Sequence, residues 1–176
     1  MIILITGASH TGKTLLAQRA IERFRYSCLS LDLLKMGLIR SGQTTLTPFD
    51  DDLLTDYLWP IVRETVKTAL ENDQNLIVEG CYIPFDWQKD FDAAALEKIR
   101  YVAIVFSEKY VRSHWEDVTG FANVIEKRLD DSYFTPEMAI KDNAVFLEQC
   151  EKHRLPYALI ENDYHTEIKN VLNGLQ

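Results

Sequence analysis

Met1–Leu15 reads Met-Ile-Ile-Leu-Ile-Thr-Gly-Ala-Ser-His-Thr-Gly-Lys-Thr-Leu. Within it, Gly7, Gly12, Lys13 and Thr14 occupy the fixed places of the phosphate-binding pattern G-x-x-x-x-G-K-[ST]. The glycines permit backbone turns that a Cβ would obstruct, so that successive N–H groups can converge on a polyphosphate. Because the pattern requires a strand before it and a helix after it, it indicates both a local fold and a ligand.

The flanking residues provide that context. Ile2–Ile5 is an apolar run typical of a buried parallel strand. After Lys13, apolar residues recur at helical spacing: Leu15, Leu16, Ala20, Ile21 and Phe24. We therefore predict a strand, a loop and a helix whose N-terminus holds the phosphates of a nucleotide, since free N–H groups and the helix dipole favour negative charge there.

Each residue of this loop has an expected role. Lys13 should reach the β- and γ-phosphates, and the Thr14 hydroxyl should take a place on Mg²⁺. His10 stands at a variable position, where we expect an exposed side chain with no catalytic duty. The predicted nucleotide-binding residues are Gly7, His10, Thr11, Gly12, Lys13, Thr14 and Leu15.

Composition narrows the class of protein. The chain has 176 residues, of which 47% are hydrophobic and 26% charged, and this predicts a single domain over residues 1–176. Its net charge of −8 argues against a general nucleic-acid or anionic-membrane surface. No apolar run is long enough for a bilayer span or a signal peptide. The cysteines lack metal-ligand spacing, which favours reduced thiols in a cytoplasmic protein.

Beyond the loop, strand patterns alternate with helix patterns. Further strands are predicted at 26–31, 76–78, 101–106 and 157–160. Helices are predicted at 33–40, 50–72, 93–98, 107–129, 135–153 and 164–175. Pro60 should kink the longest helix, which could also be two consecutive helices. The alternation predicts an α/β fold, a three-layer α/β/α sandwich around a five-stranded parallel sheet.

Polar residues follow the predicted strands at their carboxyl ends. These ends share one edge of a parallel sheet, and ligands of such sheets bind in the crevice there. The rule gathers the following residues around one crevice: Gly7, Asp32, Glu79, Ser107 and Glu161. Candidates that are scattered along the chain are therefore expected to converge in space.

Two classes of nucleotide-binding protein lack support in this sequence. A guanine-specific switch would usually carry an N-K-x-D motif, and an ABC-type ATPase would need its signature motif and a larger domain. A compact kinase remains, with an acceptor-binding region at about 33–72 and a helical lid at about 107–135.

The whole chain resembles small phosphate-loop kinases of the adenylate-kinase-like fold. Within that group it is most similar to the branch containing 2-phosphoglycerate kinases, chloramphenicol phosphotransferases and zeta-toxin kinases. Besides the loop, two stretches carry this resemblance: Leu29-Ser30-Leu31-Asp32-Leu33-Leu34-Lys35 and Ile77-Val78-Glu79-Gly80-Cys81-Tyr82-Ile83-Pro84. The D-G-x-P-R segment of adenylate kinases is not present. The resemblance implies ATP and Mg²⁺ as cofactors and a small-molecule phosphate acceptor.

The resemblance also suggests roles at the ends of the second and third strands. Asp32 stands where several of these kinases hold the base that faces the acceptor hydroxyl, or it could hold Mg²⁺ through water. Its alternative role is the N-cap of the next helix. Glu79 ends a buried strand, where a metal-water contact, an acceptor contact or a salt bridge would each offset the cost of burial. Cys81 and Tyr82 would line the acceptor pocket.

Lids of such kinases supply arginines that close over the phosphates. Arg112, about one turn into its helix, is the first candidate and Arg128 the second, with a solvated surface cation as the alternative for either. Arg40 flanks the acceptor region, as do Lys35 and Arg63, and could hold an anionic acceptor. The ordinary alternative for each of them is a surface charge.

Two functions are consistent with the sequence. The first is an ATP- and Mg²⁺-dependent kinase that transfers a phosphoryl group to a hydroxyl or phosphate of a small metabolite. The second is a nucleotide-binding regulatory protein with little or no transfer activity, because the lid region contains few arginines. No motif identifies the acceptor or the oligomeric state.

Overall fold

A computed structural model of the protein describes residues 1–125 and 134–175. The strands are β1 Ile2–Gly7, β2 Ser27–Ser30, β3 Leu76–Glu79, β4 Ile99–Phe106 and β5 Tyr157–Ile160. The helices are α1 Lys13–Phe24, α2 Leu31–Arg40, α3 Asp51–Glu71, α4 Ala93–Glu97, α5 Glu108–Ser113, α6 Trp115–Ile125, α7 Pro136–His153 and α8 Tyr164–Gly174. A 3₁₀ turn at Trp87–Asp90 precedes α4. None of the described helices is long and apolar enough to cross a membrane.

The strands form one parallel sheet in the order β2-β3-β1-β4-β5. The predicted five-stranded parallel sheet is thereby confirmed. The central strand β1 pairs with β3 on one side and β4 on the other, so that Ile2 lies opposite both Leu76 and Ile99. Because all strands run the same way, their carboxyl ends meet at one edge of the sheet.

Alternating residues of β1 face two apolar layers. Ile2 and Leu4 pack into a cluster that includes the buried face of α3, with Leu54, Leu58 and Val62. Ile3 and Ile5 pack into a second cluster on α1 and α8. Side chains of a strand alternate between its faces, so a strand covered by helices on both sides is apolar throughout.

Helix α2 begins earlier than the sequence indicated. It starts at Leu31, directly after β2, with Ser30 at the N-cap position. Asp32 therefore lies within the first turn, where a carboxylate is favoured by the helix dipole, and its alternative role as an N-cap is wrong. The burial of Leu31 against Gly80 explains the early start, because the helix must begin there to present this side chain to the core.

One further helix prediction is confirmed and one requires correction. Helix α3 is a single element from Asp51 to Glu71 with Pro60 inside it, close to the predicted 50–72, and the alternative of two consecutive helices is wrong. Proline has no N–H, so the carbonyl group one turn before it in the helix lacks its usual donor. Pro60 is exposed, and water can therefore reach that carbonyl. The helix predicted at 107–129 is divided at His114 into α5 and α6. There the Ser113 hydroxyl donates to the Lys109 carbonyl oxygen at 2.8 Å, a bond that competes with regular helical geometry.

Replacing Gly80 with alanine is expected to lower the free energy of unfolding by about 1–3 kcal/mol. The φ angle of Gly80 is 148°, and an added Cβ would lie 2.7 Å from the Leu31 Cβ. Gly37→Ala is the matched control, because Gly37 lies inside α2 with open space around it. This substitution should raise the free energy of unfolding by about 0.5–1 kcal/mol. Urea unfolding of both variants measures the difference, and equal stabilities would show that the Gly80 contact is unimportant.

Candidate functional site

The loop between β1 and α1 depends on its two glycines. Gly7 has a φ angle of 146° and Gly12 one of 79°, values that L side chains rarely adopt. A Cβ on Gly7 would collide with the Ile104 carbonyl oxygen, and one on Gly12 with the Tyr164 hydroxyl. Gly12 is also the N-cap residue of α1, so the free N–H groups of that helix begin at the loop.

Lys13 and Thr11 bind the same backbone atom inside the loop. The Lys13 Nζ donates to the Ala8 carbonyl oxygen at 2.8 Å, and the Thr11 Oγ1 donates to it at 2.9 Å. Both side chains are buried. A carbonyl is a weaker partner for an ammonium group than a phosphate, so we expect Lys13 to exchange this oxygen for a phosphate when a nucleotide binds. Leu15, half-buried, lies in the first turn of α1.

The sequence predicts an exposed side chain for His10, and the structure differs. It is half-buried, has a φ angle of 64° and stacks on Phe134 with ring centroids 4.3 Å apart. The ring of Phe134 in turn lies 5.8 Å from the ring of Trp115, which packs against the core. The stack joins the loop to the segment that leads into α7. No motif in the sequence linked His10 to either ring.

Tyr164 is a second contact that sequence reasoning missed. It opens α8, and its hydroxyl donates to the Gly12 carbonyl oxygen at 3.1 Å. Burial raises the pKa of this tyrosine, so the hydroxyl stays protonated as a donor at neutral pH. The bond ties the last described helix to the backbone of the loop.

Tyr164→Phe is expected to lower the free energy of unfolding by about 1 kcal/mol and to weaken nucleotide binding several-fold, because Gly12 loses a bond that fixes its carbonyl. Tyr157→Phe is the control, since that hydroxyl contacts only an exposed Glu151 among the described hydrogen bonds. Calorimetric titration with an ATP analogue and thermal unfolding give the two quantities. Unchanged affinity would contradict a role for Tyr164 in holding the loop.

Thr14 and Glu79 meet at the ends of α1 and β3. The Thr14 Oγ1 donates to Glu79 Oε2 at 3.2 Å, and Glu79 is only 1% exposed. A hydroxyl and a carboxylate are oxygen ligands of the kind that Mg²⁺ prefers, either directly or through water. These two residues therefore fit the predicted magnesium position beside the phosphate loop.

A second polar group connects α2, α3 and the segment after β3. Lys35 Nζ donates to Asp32 Oδ1 at 2.7 Å and to the Tyr82 hydroxyl at 2.8 Å. The Tyr82 hydroxyl donates to Asp51 Oδ1 at 2.9 Å. We call these four residues the Asp32–Asp51 network. The sequence indicated Asp32, Lys35 and Tyr82 as candidates. Asp51 belongs to the acidic triplet at 50–52, which the sequence explains most simply as the start of a helix, with a metal site as the alternative.

The Cys81 thiol is affected by charges of both the loop and this network. Burial raises the pKa of this thiol, while the charge of Lys13 lowers it, that of Asp32 raises it and that of Lys35 lowers it. The thiol is therefore within electrostatic reach of both the loop lysine and the network. Cys28, Cys81 and Cys150 are all free thiols.

The described candidate arginines are exposed or form ion pairs outside the loop and the Asp32–Asp51 network. Arg112 on α5 pairs with Glu108 at 2.9 Å and approaches Glu137 of α7 at 3.9 Å, with about half of its side chain exposed. Arg40 is exposed at the last residue of α2, two turns beyond Asp32. Arg63 pairs with Glu64 and lies 3.7 Å from Asp90. Arg128 lies outside the described residues.

The sequence matches no protein-family model and no curated protein. The fold, however, is similar to those of solved structures. A gluconokinase from Sinorhizobium meliloti 1021 has a TM-score of 0.54 at 14% identity, covering 98% of this chain and 90% of that one. A deoxyadenosine kinase from M. mycoides has a TM-score of 0.57 at 15% identity, covering 99% and 98%. A shikimate kinase from Bacteroides thetaiotaomicron has a TM-score of 0.53 at 13% identity, covering 99% and 98%. The chain therefore has the fold of small phosphate-loop kinases.

Proposed function

We propose that the protein is an ATP- and Mg²⁺-dependent kinase that transfers the γ-phosphoryl group of ATP to a small metabolite. The hydrogen bond between Thr14 and Glu79 is the observation that carries this proposal, because it joins the donor loop to the strand end that leads into the Asp32–Asp51 network. The kinases of similar fold support ATP as the donor. The likeness of residues 29–35 and 77–84 to the 2-phosphoglycerate kinase branch is part of the same proposal.

In this mechanism the protein aligns two substrates and neutralises charge. The loop amides and Lys13 hold the β- and γ-phosphates, and Thr14 with Glu79 would hold Mg²⁺. The metal, when bound, supplies positive charge to the phosphate oxygens. The acceptor oxygen forms a bond to the γ-phosphorus as the bond to the departing ADP oxygen breaks, and its proton passes to the Asp32 carboxylate. Arg112 is our candidate for closing over the transferred group, which requires it to leave Glu108 and Glu137.

The acceptor side of the proposal rests on Asp32, Glu79 and Tyr82. Tyr82 is 3% exposed and is anchored through its hydroxyl, so it forms a fixed wall for an acceptor next to Asp32. Arg40 would act on the acceptor only if the substrate extended along α2, whose last residue lies about 12 Å from Asp32 along the helix axis.

The direct test is ADP release in a coupled assay with Mg²⁺–ATP and a panel of hydroxyl and phosphate acceptors, alongside thermal unfolding with a non-hydrolysable ATP analogue. A kinase should show turnover with at least one acceptor and a higher melting temperature with the analogue. Stabilisation by the analogue without turnover would instead favour a nucleotide-binding regulatory protein. The pairing of Arg112 with two glutamates is the observation that motivates this second function.

A further inference from the structure

The ammonium group of Lys35 is held in place by three contacts. Its Nζ donates to Asp32 Oδ1 at 2.7 Å and to the Tyr82 hydroxyl at 2.8 Å, and it lies 4.9 Å from the centroid of the Tyr82 ring. Only 11% of the Lys35 side chain is exposed. Lysines are rarely so far buried unless their charge has fixed partners. Lys35 therefore differs from the solvated surface charge that is the ordinary alternative for it.

Asp32 and Lys35 meet because of their spacing on α2. They stand three positions apart, so their side chains lie on the same face of the helix. A bond between an ammonium group and a carboxylate is roughly twice as strong as one between neutral groups. Because this bond engages Oδ1, it restricts rotation of the Asp32 carboxylate, and the direction of the other oxygen, Oδ2, is restricted with it.

Tyr82 fixes the ammonium group in turn. Its hydroxyl donates to Asp51 Oδ1 at 2.9 Å and accepts from Lys35. Burial raises the pKa of this tyrosine, and the charges of Asp51 and Asp32 raise it further, so the hydroxyl stays protonated. Since its one proton goes to Asp51, a lone pair of the same oxygen accepts from Lys35. The order of donors and acceptors along the Asp32–Asp51 network is therefore defined.

The Asp32–Asp51 network joins three parts of the fold. Two of its residues belong to α2, Asp51 begins α3, and Tyr82 lies three positions after the end of β3. The backbone at Gly80 also lies close against Leu31 of α2, so packing holds the same segments together. The carboxylate on α2 is thus supported from outside its own helix. Such support matters for a reacting group, because a misplacement of about 1 Å can cost about 10²-fold in rate.

We propose that Lys35 is a positioning residue of the transfer reaction: supported by Tyr82 and Asp51, it orients the Asp32 carboxylate toward the acceptor hydroxyl. The sequence suggested Lys35 as a cation for an anionic acceptor, and the proposal gives its ammonium group a different role. Lys35 acts through Asp32 and does not itself bind the acceptor. The inference rests on the proposed kinase function, because it assigns a support to the base of that reaction.

Lys35→Met keeps the length of the side chain and removes its ammonium group. We expect kcat for ADP release with an accepted substrate to fall about 10–10²-fold, while KM for the acceptor and the affinity for the ATP analogue change by less than about twofold. Lys35→Arg should recover part of the loss, because a guanidinium can donate to Asp32. Lys98→Met is the matched control, since Lys98 is exposed and pairs with Asp73 at the amino end of the strands. A higher KM for the acceptor with kcat unchanged would make Lys35 a binding group and overturn the proposal.

Tyr82→Phe tests the support behind Lys35. The ring that contacts the ammonium group remains, whereas the hydroxyl that joins Lys35 to Asp51 is lost. We expect kcat to fall about 2–10-fold, the range for one net hydrogen bond, with KM for the acceptor unchanged. A wild-type kcat in Tyr82→Phe would overturn the role given to Tyr82.

Lys35→Met in the Asp32→Asn background tests whether Lys35 acts through Asp32. In Asp32→Asn the base is already lost, so the second substitution should lower kcat by less than about twofold further. If the two losses multiplied instead, Lys35 would contribute independently of Asp32. That result would overturn the positioning role.

Crystal structures of the wild type and Lys35→Met separate this inference from the proposed function, because they require no turnover. The Asp32 carboxylate should occupy one rotamer in the wild type and a different rotamer, or several, in Lys35→Met. Such a change in a protein that shows no turnover with any acceptor would support the orienting contact and contradict the kinase. Turnover by the wild type, with the Asp32 rotamer the same in Lys35→Met, would support the kinase and overturn the inference.

Discussion

Lys13→Met should lower ATP turnover by a factor on the order of 10²–10³, the loss typical when a group that stabilises transition-state charge is removed. Methionine keeps the length and most of the apolar stem, so it can occupy the buried channel that leads to the Ala8 carbonyl. Methionine has no ammonium group that could bind a phosphate in place of the Ala8 carbonyl oxygen. The loss should appear mainly in kcat, with weaker nucleotide affinity in addition.

Lys67→Met is the control for this variant. Lys67 lies on α3, has 39% of its side chain exposed and pairs with Glu64 at 3.3 Å, so its charge can be removed without affecting the crevice. Coupled ADP release and calorimetric titration with an ATP analogue measure both effects. Normal turnover in Lys13→Met would rule out the proposed donor site, whereas equal losses in the two variants would indicate a general charge effect.

Asp32→Asn should lower turnover by roughly 10²-fold or more while leaving the affinity for the ATP analogue unchanged, since loss of a general base has this effect. Asparagine can still accept from Lys35, so the network around Tyr82 is preserved. What it cannot do is take the proton of the acceptor hydroxyl. A role in proton transfer should lower kcat and leave the affinity for the ATP analogue unchanged, whereas a structural role should lower both. The ratio of the two losses therefore separates the roles.

Asp56→Asn provides the comparison for Asp32. Asp56 is exposed on α3, and its charge lies outside the network. Thermal unfolding of both variants verifies that they are folded. If Asp32→Asn turned over ATP at the wild-type rate with an accepted substrate, Asp32 could not be the base, and the transfer step would need another proton acceptor.

The fold was predictable wherever one residue pattern decided the structure. Apolar runs such as Ile2–Ile5 are buried on both faces of the sheet, and a short run of this kind is compatible with few other structures. Local capping chemistry was equally informative. Ser107 accepts from the Tyr110 N–H at the start of α5, and Thr135 accepts from the Met138 N–H before Pro136. These bonds form between residues three positions apart, so the sequence contains both partners.

Predictions were wrong where two local preferences compete. The Ser113 hydroxyl bonds to the backbone at the point where α5 ends, although the apolar pattern continues into α6. The start of α2 was misplaced by two residues, because the deciding contact is between Leu31 and Gly80, far apart in the chain. Neither outcome follows from the spacing of apolar residues alone.

The candidate site was predictable in its donor half and only partly in its acceptor half. Asp51 could have been found from helix phase, because it shares a face of α3 with the buried Leu54 and Leu58, three and seven residues further on. The contact between Tyr164 and Gly12 had no such signal. Its partners are separated by 152 positions, and only the folded sheet brings them together.

The position of β1 at the centre of the sheet has a consequence for how the protein is made. This strand precedes both of its neighbours, β3 and β4, in the chain, and β4 ends at Phe106. On the ribosome, the nascent chain must therefore carry an apolar strand with unpaired edges while some hundred residues are added, a state prone to aggregation and to chaperone binding. The loop that follows β1 gains its contact with Tyr164 later still, so a segment translated well before its partners is among the last to be completed.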